Sequence, residues 1–249
     1  EIILQKLRTH VPIQYIFGHT EWMGLDLRVT SATLIPRPET AELVEWIVQS
    51  VAPDVYARVL DIGTGSGCIA IALKQRAPQW QVMGIDISAE ALAVARDNAQ
   101  RNGVEVEWKQ ADVLSNSASD LILTDGPTSN SASDLIHIIV SNPPYIETNV
   151  IETLEDEVKL NEPILALDGG EDGLDFYRRI TKEAPLHMVE DGLLAFEIGI
   201  YQGEAVAEMC KAAGFGAVAI RKDYAGIERM VFAAKEGGKY ADLLLEIAK

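Results

Sequence analysis

Short apolar segments alternate with amphipathic ones through the middle of the chain. RVLDIGTGSG at 58–67 reads as an apolar strand running into a glycine turn, and CIAIALKQRAP at 68–78 continues it as a helix. QVMGIDIS at 81–88 and AEALAVARDNAQRNG at 89–103 repeat that pair, and VEVEWKQADVL at 104–114 is a third strand. Because strands alternate with helices, the pattern predicts an α/β fold with a doubly wound, mostly parallel sheet.

The second half of the chain brings the expected sheet to seven strands. LIHIIVSNPPY at 135–145 is a fourth strand that ends in a proline-rich turn, and GLLAFEIG at 192–199 is a fifth. QGEAVAEMCKAAG at 202–214 predicts a helix. Two further strands are expected within AVAIRKDYAGIERMVFAA at 217–234 as an antiparallel C-terminal hairpin, and YADLLLEIAK at 240–249 predicts a closing helix.

The first fifty residues follow a different pattern. Residues 1–10 predict the end of a helix, and aromatic and β-branched residues around Gly18 and Gly24 predict a short hairpin. Thr40 is expected to cap the helix AELVEWIVQSV at 41–51.

An octapeptide is repeated between the third and fourth strands. SNSASDLI occurs at 115–122 and again at 129–136, which is too short an offset for a solenoid repeat. Only the second copy leads directly into the fourth strand, so residues 115–133 are expected to form a polar loop. We assign the repeat no function.

Composition narrows the functional classes. The chain has 38 acidic and 21 basic residues and a net charge of −17, which argues against a general nucleic-acid binder because acids repel a phosphate backbone. No apolar run reaches the roughly 18–20 residues that span a bilayer. Cys68 and Cys210 form no disulfide framework. We therefore expect a cytoplasmic globular protein with no membrane partner.

More than half of that net charge lies in one segment. Residues 147–175 contain ten acidic residues and one Lys, and therefore carry nine net negative charges. Two interpretations stay open. The segment is either a solvated face of loop carboxylates, or a rim beside the functional site that attracts a basic protein partner.

The glycine turn after the first strand is the first candidate site. Its glycines allow the backbone to approach a ligand closely, and the helix that follows offers free N–H groups. Cys68 stands where the dinucleotide fingerprint G-x-G-x-x-G requires glycine, so the spacing disfavours a dinucleotide. The turn consists of Gly63, Thr64, Gly65, Ser66 and Gly67.

An acidic residue accompanies the end of each of the first three strands. Asp61 could receive a cationic amino-acid group, Asp86 could accept both hydroxyls of a ribose, and Asp112 is expected close to an adenine. Three acids in these places suit S-adenosylmethionine better than a pyrophosphate, which they would repel. The alternative that each Asp caps the following turn or helix stays open.

The motif Asn142-Pro143-Pro144-Tyr145 follows the fourth strand, on the edge where open α/β sheets bind ligands. A planar –NH₂ is a poor nucleophile because its lone pair is delocalised. An enzyme that methylates it can accept both N–H hydrogens, here with the Asn142 side-chain oxygen and the Pro143 carbonyl. Tyr145 can stack on a planar amide or base. The motif predicts methyl transfer to such a nitrogen, with a plain turn as the alternative.

DIGTGSG together with NPPY resembles the amino-methylating class I methyltransferases. LIPRPET at 34–40, EPILALDGGEDGLDFYRRI at 162–180, FEIG at 196–199 and DYAGIERMV at 223–231 narrow the match, and residues 11–235 resemble the PrmC/HemK family. The resemblance implies a Rossmann-like, S-adenosylmethionine-dependent fold. It also implies protein-(glutamine-N5) methylation of peptide-chain release factors at a Gly-Gly-Gln motif, with S-adenosylhomocysteine as product.

The resemblance implies roles for the motif residues as well. Gly63 to Gly67 and Asp86 would hold S-adenosylmethionine, Val113 would flank the adenine, and Asn142 to Tyr145 would hold the glutamine, with Asn142 also beside the cofactor. The segment expected to lie over cofactor and substrate comprises Pro36, Arg37, Pro38, Glu39 and Thr40.

The same resemblance suggests a domain division. We expect residues 34–249 to form the catalytic domain, and residues 1–33 to be a remnant of the N-terminal region with linker and hairpin. The family's small helical domain, which helps to dock the release factor, is expected to be largely absent. A release factor is the expected protein partner of a monomer that makes no direct contact with nucleic acid.

Two other functions stay open. An N6-adenine DNA or RNA methyltransferase would use the same turn, because adenine also presents a planar –NH₂, although the net charge counts against it. A catalytically silent cofactor-binding module is the third, although the intact NPPY turn counts against that. No metal is expected, because the four histidines are scattered, and Cys68 is predicted to be a packed residue and not an activated thiol.

Overall fold

The computed structural model describes residues 2–51, 55–113 and 135–247, so the repeated octapeptide and the expected polar loop fall almost wholly outside the described residues. Two short 3-10 helices lie at Thr148–Thr153 and Ile164–Ala166. The strands are β1 (His19–Trp22), β2 (Leu25–Arg28), β3 (Arg58–Ile62), β4 (Gln81–Asp86), β5 (Glu107–Gln110), β6 (Ile136–Ser141), β7 (Met188–Glu197), β8 (Ala217–Lys222) and β9 (Glu228–Ala234). The helices are α1 (Ile2–Arg8), α2 (Ile13–Phe17), α3 (Pro38–Ser50), α4 (Cys68–Arg76), α5 (Ala89–Arg101), α6 (Asp156–Lys159), α7 (Asp175–His187), α8 (Gly203–Ala212) and α9 (Ala241–Ile247).

Seven strands form one sheet in the order β5-β4-β3-β6-β7-β9-β8. The first five in that order are parallel, and β9 runs antiparallel to both β7 and β8. This confirms the predicted seven-stranded, mostly parallel sheet with an antiparallel C-terminal hairpin. A separate antiparallel pair, β1 with β2, forms the predicted N-terminal hairpin.

Helices cover both faces of the large sheet. Val59 of β3 belongs to the core that contains α3 and α4, and its neighbour Leu60 belongs to the core that contains α7 and α8. Successive side chains of a strand point to opposite faces, so a strand covered on both sides buries the side chains of both faces. This is why all five residues of β3 are buried.

Gly67 closes the glycine turn immediately before α4, with φ of +82°. A Cβ at this position would lie 2.8 Å from the Trp108 ring and 3.0 Å from the Cβ of Ala95. Glycine is therefore needed here both for the left-handed backbone and for the close packing of α4 against α5 and β5.

Three local predictions need correction. The helix expected from residue 41 begins at Pro38 with Arg37 at its N-cap position and no side-chain cap, so the capping role predicted for Thr40 is wrong. Proline is well suited to the first helical turn because the N–H it lacks would have no partner there.

The region in which the sequence predicted only a hairpin also contains the helix α2, which precedes that hairpin. β5 ends at Gln110, which leaves Asp112 in the segment after the strand. The domain boundary at residue 33 stays a prediction.

Candidate active site

A cavity of about 300 Å³ lies where β3, β4 and β6 end, at the carboxyl edge of the parallel strands. Ser141 at the end of β6 donates its hydroxyl to the carbonyl of Ile62 at the end of β3, at 2.7 Å, so the two predicted motifs leave the sheet side by side. The sequence-predicted residues that line the cavity are Pro36, Arg37, Thr40, Gly63, Thr64, Gly65, Ser66, Asp86, Asp112, Val113, Asn142, Pro143 and Pro144.

The other predicted residues do not line the cavity. The Asp61 carboxylate is fully buried and accepts a hydrogen bond from the Thr64 hydroxyl at 2.5 Å, and burial raises the pKa of Asp61 to about 7. The Tyr145 carbonyl accepts a hydrogen bond from Gln202 Nε2 at 3.0 Å. The predicted residues that do not line the cavity are Asp61, Gly67, Pro38, Glu39 and Tyr145.

Asp86 is held by the backbone of two turns. One of its oxygens accepts the Gly65 N–H at 2.9 Å and the other accepts the Ser88 N–H, also at 2.9 Å. Burial raises the pKa of Asp86, and these N–H groups oppose the rise because they favour the charged form. A carboxylate oxygen can accept more than one hydrogen bond, so both oxygens keep capacity for hydroxyl donors in the cavity.

Arg179 and Phe176 are cavity residues that the sequence reasoning did not single out. Arg179 lies on α7, and its Nη2 donates to Asp112 Oδ1 at 2.9 Å. The same guanidinium lies 5.6 Å from the centre of the Phe176 ring. The ion pair ties α7 to the segment after β5 and partly neutralises the acid that was expected near an adenine.

Arg37, which lines the cavity, forms an ion pair with a buried carboxylate. Its Nη2 lies 2.6 Å from Glu162 Oε1, whose side chain is 2% exposed, and the Trp22 indole donates to the Arg37 carbonyl at 2.8 Å. Burial raises the pKa of Glu162 while the Arg37 charge opposes the rise. The pair joins the start of α3 to the acidic segment, next to Pro163, which also lines the cavity.

Asn142 is fixed by a chain of hydrogen bonds that the sequence did not reveal. Its Nδ2 donates to Thr40 Oγ1 at 3.2 Å, and Thr40 Oγ1 donates to Glu197 Oε2 at 2.6 Å. With Nδ2 used as the donor, Asn142 Oδ1 is the end of the amide left to accept hydrogen bonds in the cavity.

Glu197 ends β7 and is 2% exposed. Burial raises its pKa to about 7, while the hydrogen bond from Thr40 opposes the rise. Glu197 belongs to the motif FEIG, from which the sequence predicts no separate role for it. The available signal was a carboxylate at the end of an otherwise apolar strand, where an acid without a partner would be costly.

The acidic segment is partly neutralised by local contacts. Glu162 pairs with Arg37, and Asp172 pairs with Arg178. Glu155 and Glu157 are exposed, in the stretch that leads to the cavity residues. The paired acids are thus accounted for by contacts within the protein. For the exposed acids, both interpretations stay open: a solvated face, or a rim that attracts a basic protein partner.

Cys68, which opens α4, is buried, and burial raises the pKa of its thiol to about 12. Cys68 is therefore buried, as predicted, and its raised pKa disfavours the thiolate, although the residue also lines the cavity wall. Within residues 2–51, 55–113 and 135–247, the His, Cys, Asp and Glu side chains form no group of three that could hold a metal ion. Across the same described ranges, every helix is too short or too polar to cross a bilayer.

Solved structures show that the fold is that of class I methyltransferases. A methyltransferase from Pyrococcus furiosus matches with a TM-score of 0.59 and 17% identity, covering 92% of this chain and 95% of that one. The hMettl16 catalytic domain matches with a TM-score of 0.64 and 14% identity, covering 95% and 91%. This confirms the predicted fold class and, at such low identity, nothing beyond it.

Sequence comparisons identify the family. Residues 43–157 match the family model of the methyltransferase small domain. The release factor glutamine methyltransferase of Thermodesulfovibrio yellowstonii is 37% identical over 94% of this chain and 80% of its own length. That of Geobacter sulfurreducens is 44% identical over 88% and 72%. The chain therefore belongs to the release factor glutamine methyltransferase family, as its motifs predicted.

Proposed function

We propose that this chain transfers a methyl group from S-adenosylmethionine to the side-chain N5 nitrogen of the glutamine in the Gly-Gly-Gln motif of a peptide-chain release factor. The observation that carries the proposal is the orientation of Asn142. Its Nδ2 is engaged by Thr40, so its oxygen is the acceptor offered to the cavity, next to Pro143. A site built from acceptors suits a substrate nitrogen that carries two hydrogens.

The cavity fits S-adenosylmethionine. An ideal Cβ at Gly63 would meet nothing within 4 Å, so the turn leaves open space at the cavity wall. Asp86, fixed by two backbone N–H groups, would hold the ribose hydroxyls. Apolar residues including Ile87 and Val113 would flank the adenine. Bound there, the cofactor supplies the methyl group and leaves as S-adenosylhomocysteine.

The NPPY turn would orient the substrate amide. Asn142 Oδ1 and the Pro143 carbonyl would each accept one hydrogen of the glutamine –NH₂, which fixes the nitrogen in line with the carbon it attacks. The bound cofactor would supply an electrophilic sulfonium methyl group to this nitrogen, and the nitrogen would then lose one proton to water. No basic side chain is required for that loss, because the methylated amide nitrogen is strongly acidic until the proton leaves.

Charge favours a protein substrate over nucleic acid. The net charge of −17 would repel a phosphate backbone, and the exposed acids Glu155 and Glu157 suit a basic protein. Since release factors function in translation, we propose a cytoplasmic enzyme. We also propose a monomer, because one chain supplies every cavity group named here.

The decisive experiment offers the chain labelled S-adenosylmethionine with either a release factor or adenine-containing DNA or RNA. Peptide mass spectrometry is expected to find one added methyl on the Gly-Gly-Gln glutamine, and nucleoside analysis no label in adenine. A release factor with that glutamine changed to asparagine, whose amide lies one carbon nearer the backbone, serves as the matched substrate control and should stay unlabelled. Label in adenine alone would favour the N6-adenine methyltransferase, and binding of the cofactor with no transfer would favour a silent module.

A further inference from the structure

We propose that Glu197 is a positioning residue: acting through Thr40, its carboxylate fixes which end of the Asn142 amide faces the substrate. The inference rests on the function proposed above and adds to it a residue that lies outside the cavity wall.

The direction of the hydrogen bonds carries the argument. Thr40 has a single hydroxyl hydrogen, and its oxygen lies 2.6 Å from Glu197 Oε2. An ionised carboxylate can only accept, so Thr40 must donate to it. The Thr40 oxygen is then an acceptor toward Asn142, 3.2 Å away, and only the –NH₂ end of the Asn142 amide can satisfy it. Asn142 Oδ1 is thereby turned toward the substrate.

The opposite arrangement would block the reaction. A protonated Glu197 can donate to Thr40, and Thr40 can then donate to Asn142 Oδ1, which rotates the amide by half a turn. The cavity would now present an –NH₂ donor to a substrate nitrogen that also carries only donors. Transfer therefore needs Glu197 in its charged form.

Besides Thr40, the Asn142 side chain itself hydrogen-bonds to Glu197 and lowers its pKa, which also requires the –NH₂ end of Asn142 to face the carboxylate. The backbone carbonyl of Glu197, and not its side chain, accepts the Tyr177 hydroxyl at 2.9 Å. Arg229, on the neighbouring strand β9, lowers the pKa of Glu197, and its Nε lies 3.6 Å from Asp223. A buried carboxylate is costly unless hydrogen bonds stabilise it, and packing alone would favour an apolar residue here. The titratable and charged groups that face Glu197 are Glu39 on α3, Cys68 on α4, Tyr145 after β6, Tyr177 on α7 and Arg229 on β9.

We call the chain of hydrogen bonds from Glu197 through Thr40 to Asn142 the relay. Three variants test it: Thr40→Val, Thr40→Ser and Glu197→Gln. Thr40→Val keeps the shape of the side chain and removes the hydroxyl, so kcat at saturating cofactor should fall about 10-fold to 100-fold, the loss expected from a misplaced reacting group. Thr40→Ser keeps the hydroxyl and should restore most of the activity. The Kd for S-adenosylmethionine, measured by calorimetry, should stay within about twofold of the parent value in all three, because Asp86 and the glycine turn, the groups proposed to hold the cofactor, are unchanged.

A pH profile separates positioning from a merely structural role. Burial raises the pKa of Glu197 to about 7, whereas it raises those of Tyr145 and Cys68 to about 12. The parent kcat should therefore fall as the pH drops below about 7, and Glu197→Gln should lose that dependence. Asp61 also has a pKa of about 7. Because Asp61 does not line the cavity and kcat is measured at saturating cofactor, protonation of Asp61 is not expected to change kcat.

The outcomes distinguish the relay from the reaction. If the parent methylates the Gly-Gly-Gln glutamine but Thr40→Val and Glu197→Gln keep its kcat and pH profile, the relay is wrong. Equal losses of kcat and cofactor affinity in Thr40→Val, without rescue by Thr40→Ser, would also overturn it. If the parent itself leaves the glutamine unmethylated, the proposed function is at fault. Should Glu197→Gln fail to fold, the Thr40 pair decides the question.

Discussion

The two halves of the cavity are built in different ways. On the side proposed for the cofactor, Asp86 and the glycine turn lie on adjacent strands, and backbone N–H groups hold the carboxylate. On the side proposed for the amide, Thr40, Asn142 and Glu197 come from three distant parts of the chain and hold one another through side chains.

This difference determines what each half can tolerate. Backbone N–H groups are always donors, so the orientation of Asp86 does not depend on the protonation of a neighbour. A hydroxyl and an amide can each donate or accept, so the orientation of Asn142 depends on the charge of Glu197. We expect substitutions in the first half to change cofactor affinity, and substitutions in the second half to change turnover.

The largest effect is expected from Asn142→Ala. Removing the acceptor that orients the nucleophile should lower kcat roughly 100-fold to 1000-fold, by analogy with the loss of one preorganised hydrogen-bonding group at a reacting atom. Cofactor affinity, measured by calorimetry, should change by less than about threefold. Turnover equal to that of the parent would contradict the role given to Asn142. A comparable loss of cofactor binding would show that the two halves are not separable.

A smaller effect, of the opposite kind, is expected from Asp86→Asn. The amide –NH₂ would face a backbone N–H that now binds a carboxylate oxygen, and the charge that strengthens hydrogen bonds to hydroxyls would be lost. The Kd for S-adenosylmethionine should rise about 10-fold to 50-fold, whereas kcat at saturating cofactor should stay within about twofold. A loss confined to kcat would reverse the assignment of the two halves.

The sequence predicted the backbone-held half well, because its signals are local. The strand, glycine turn and helix are contiguous, and the acid at the end of the next strand follows from the parallel topology. The number of strands in the large sheet and the antiparallel hairpin also follow from a pattern of short, regular elements, whereas the order of the strands is known only from the structure. The predicted start of α3 and the predicted end of β5 differ from the observed positions by a few residues, because the ends of helices and strands depend on backbone hydrogen bonds.

The side-chain-held half was predicted only in part, because its contacts are not local. Thr40 and Glu197 are 157 positions apart, and Thr40 and Asn142 are 102 apart. A threonine that ends a proline-rich motif, two residues after Pro38, favours a helix cap when it is read locally. Only in the folded chain does Thr40 lie between the Asn142 amide and the buried Glu197 carboxylate, where its hydroxyl hydrogen-bonds to both and does not cap the helix.

The smallest effect is expected outside both halves, at the acidic segment. Glu155 and Glu157 are exposed in the stretch that leads to the cavity. Glu105, just before β5, and Glu107, its first residue, are also exposed, but at the amino end of the parallel strands and not at the carboxyl end where the cavity lies. Each pair can be changed to glutamine with the same loss of charge.

If the segment attracts a basic substrate, the Glu155→Gln, Glu157→Gln double variant should raise the KM for the release factor about twofold to fivefold at low salt. It should also make that KM less dependent on salt concentration. The Glu105→Gln, Glu107→Gln double variant should do neither. Identical salt dependence in the two variants would leave the acids near the cavity as a solvated face, and would confine recognition of the release factor to the cavity and its immediate walls.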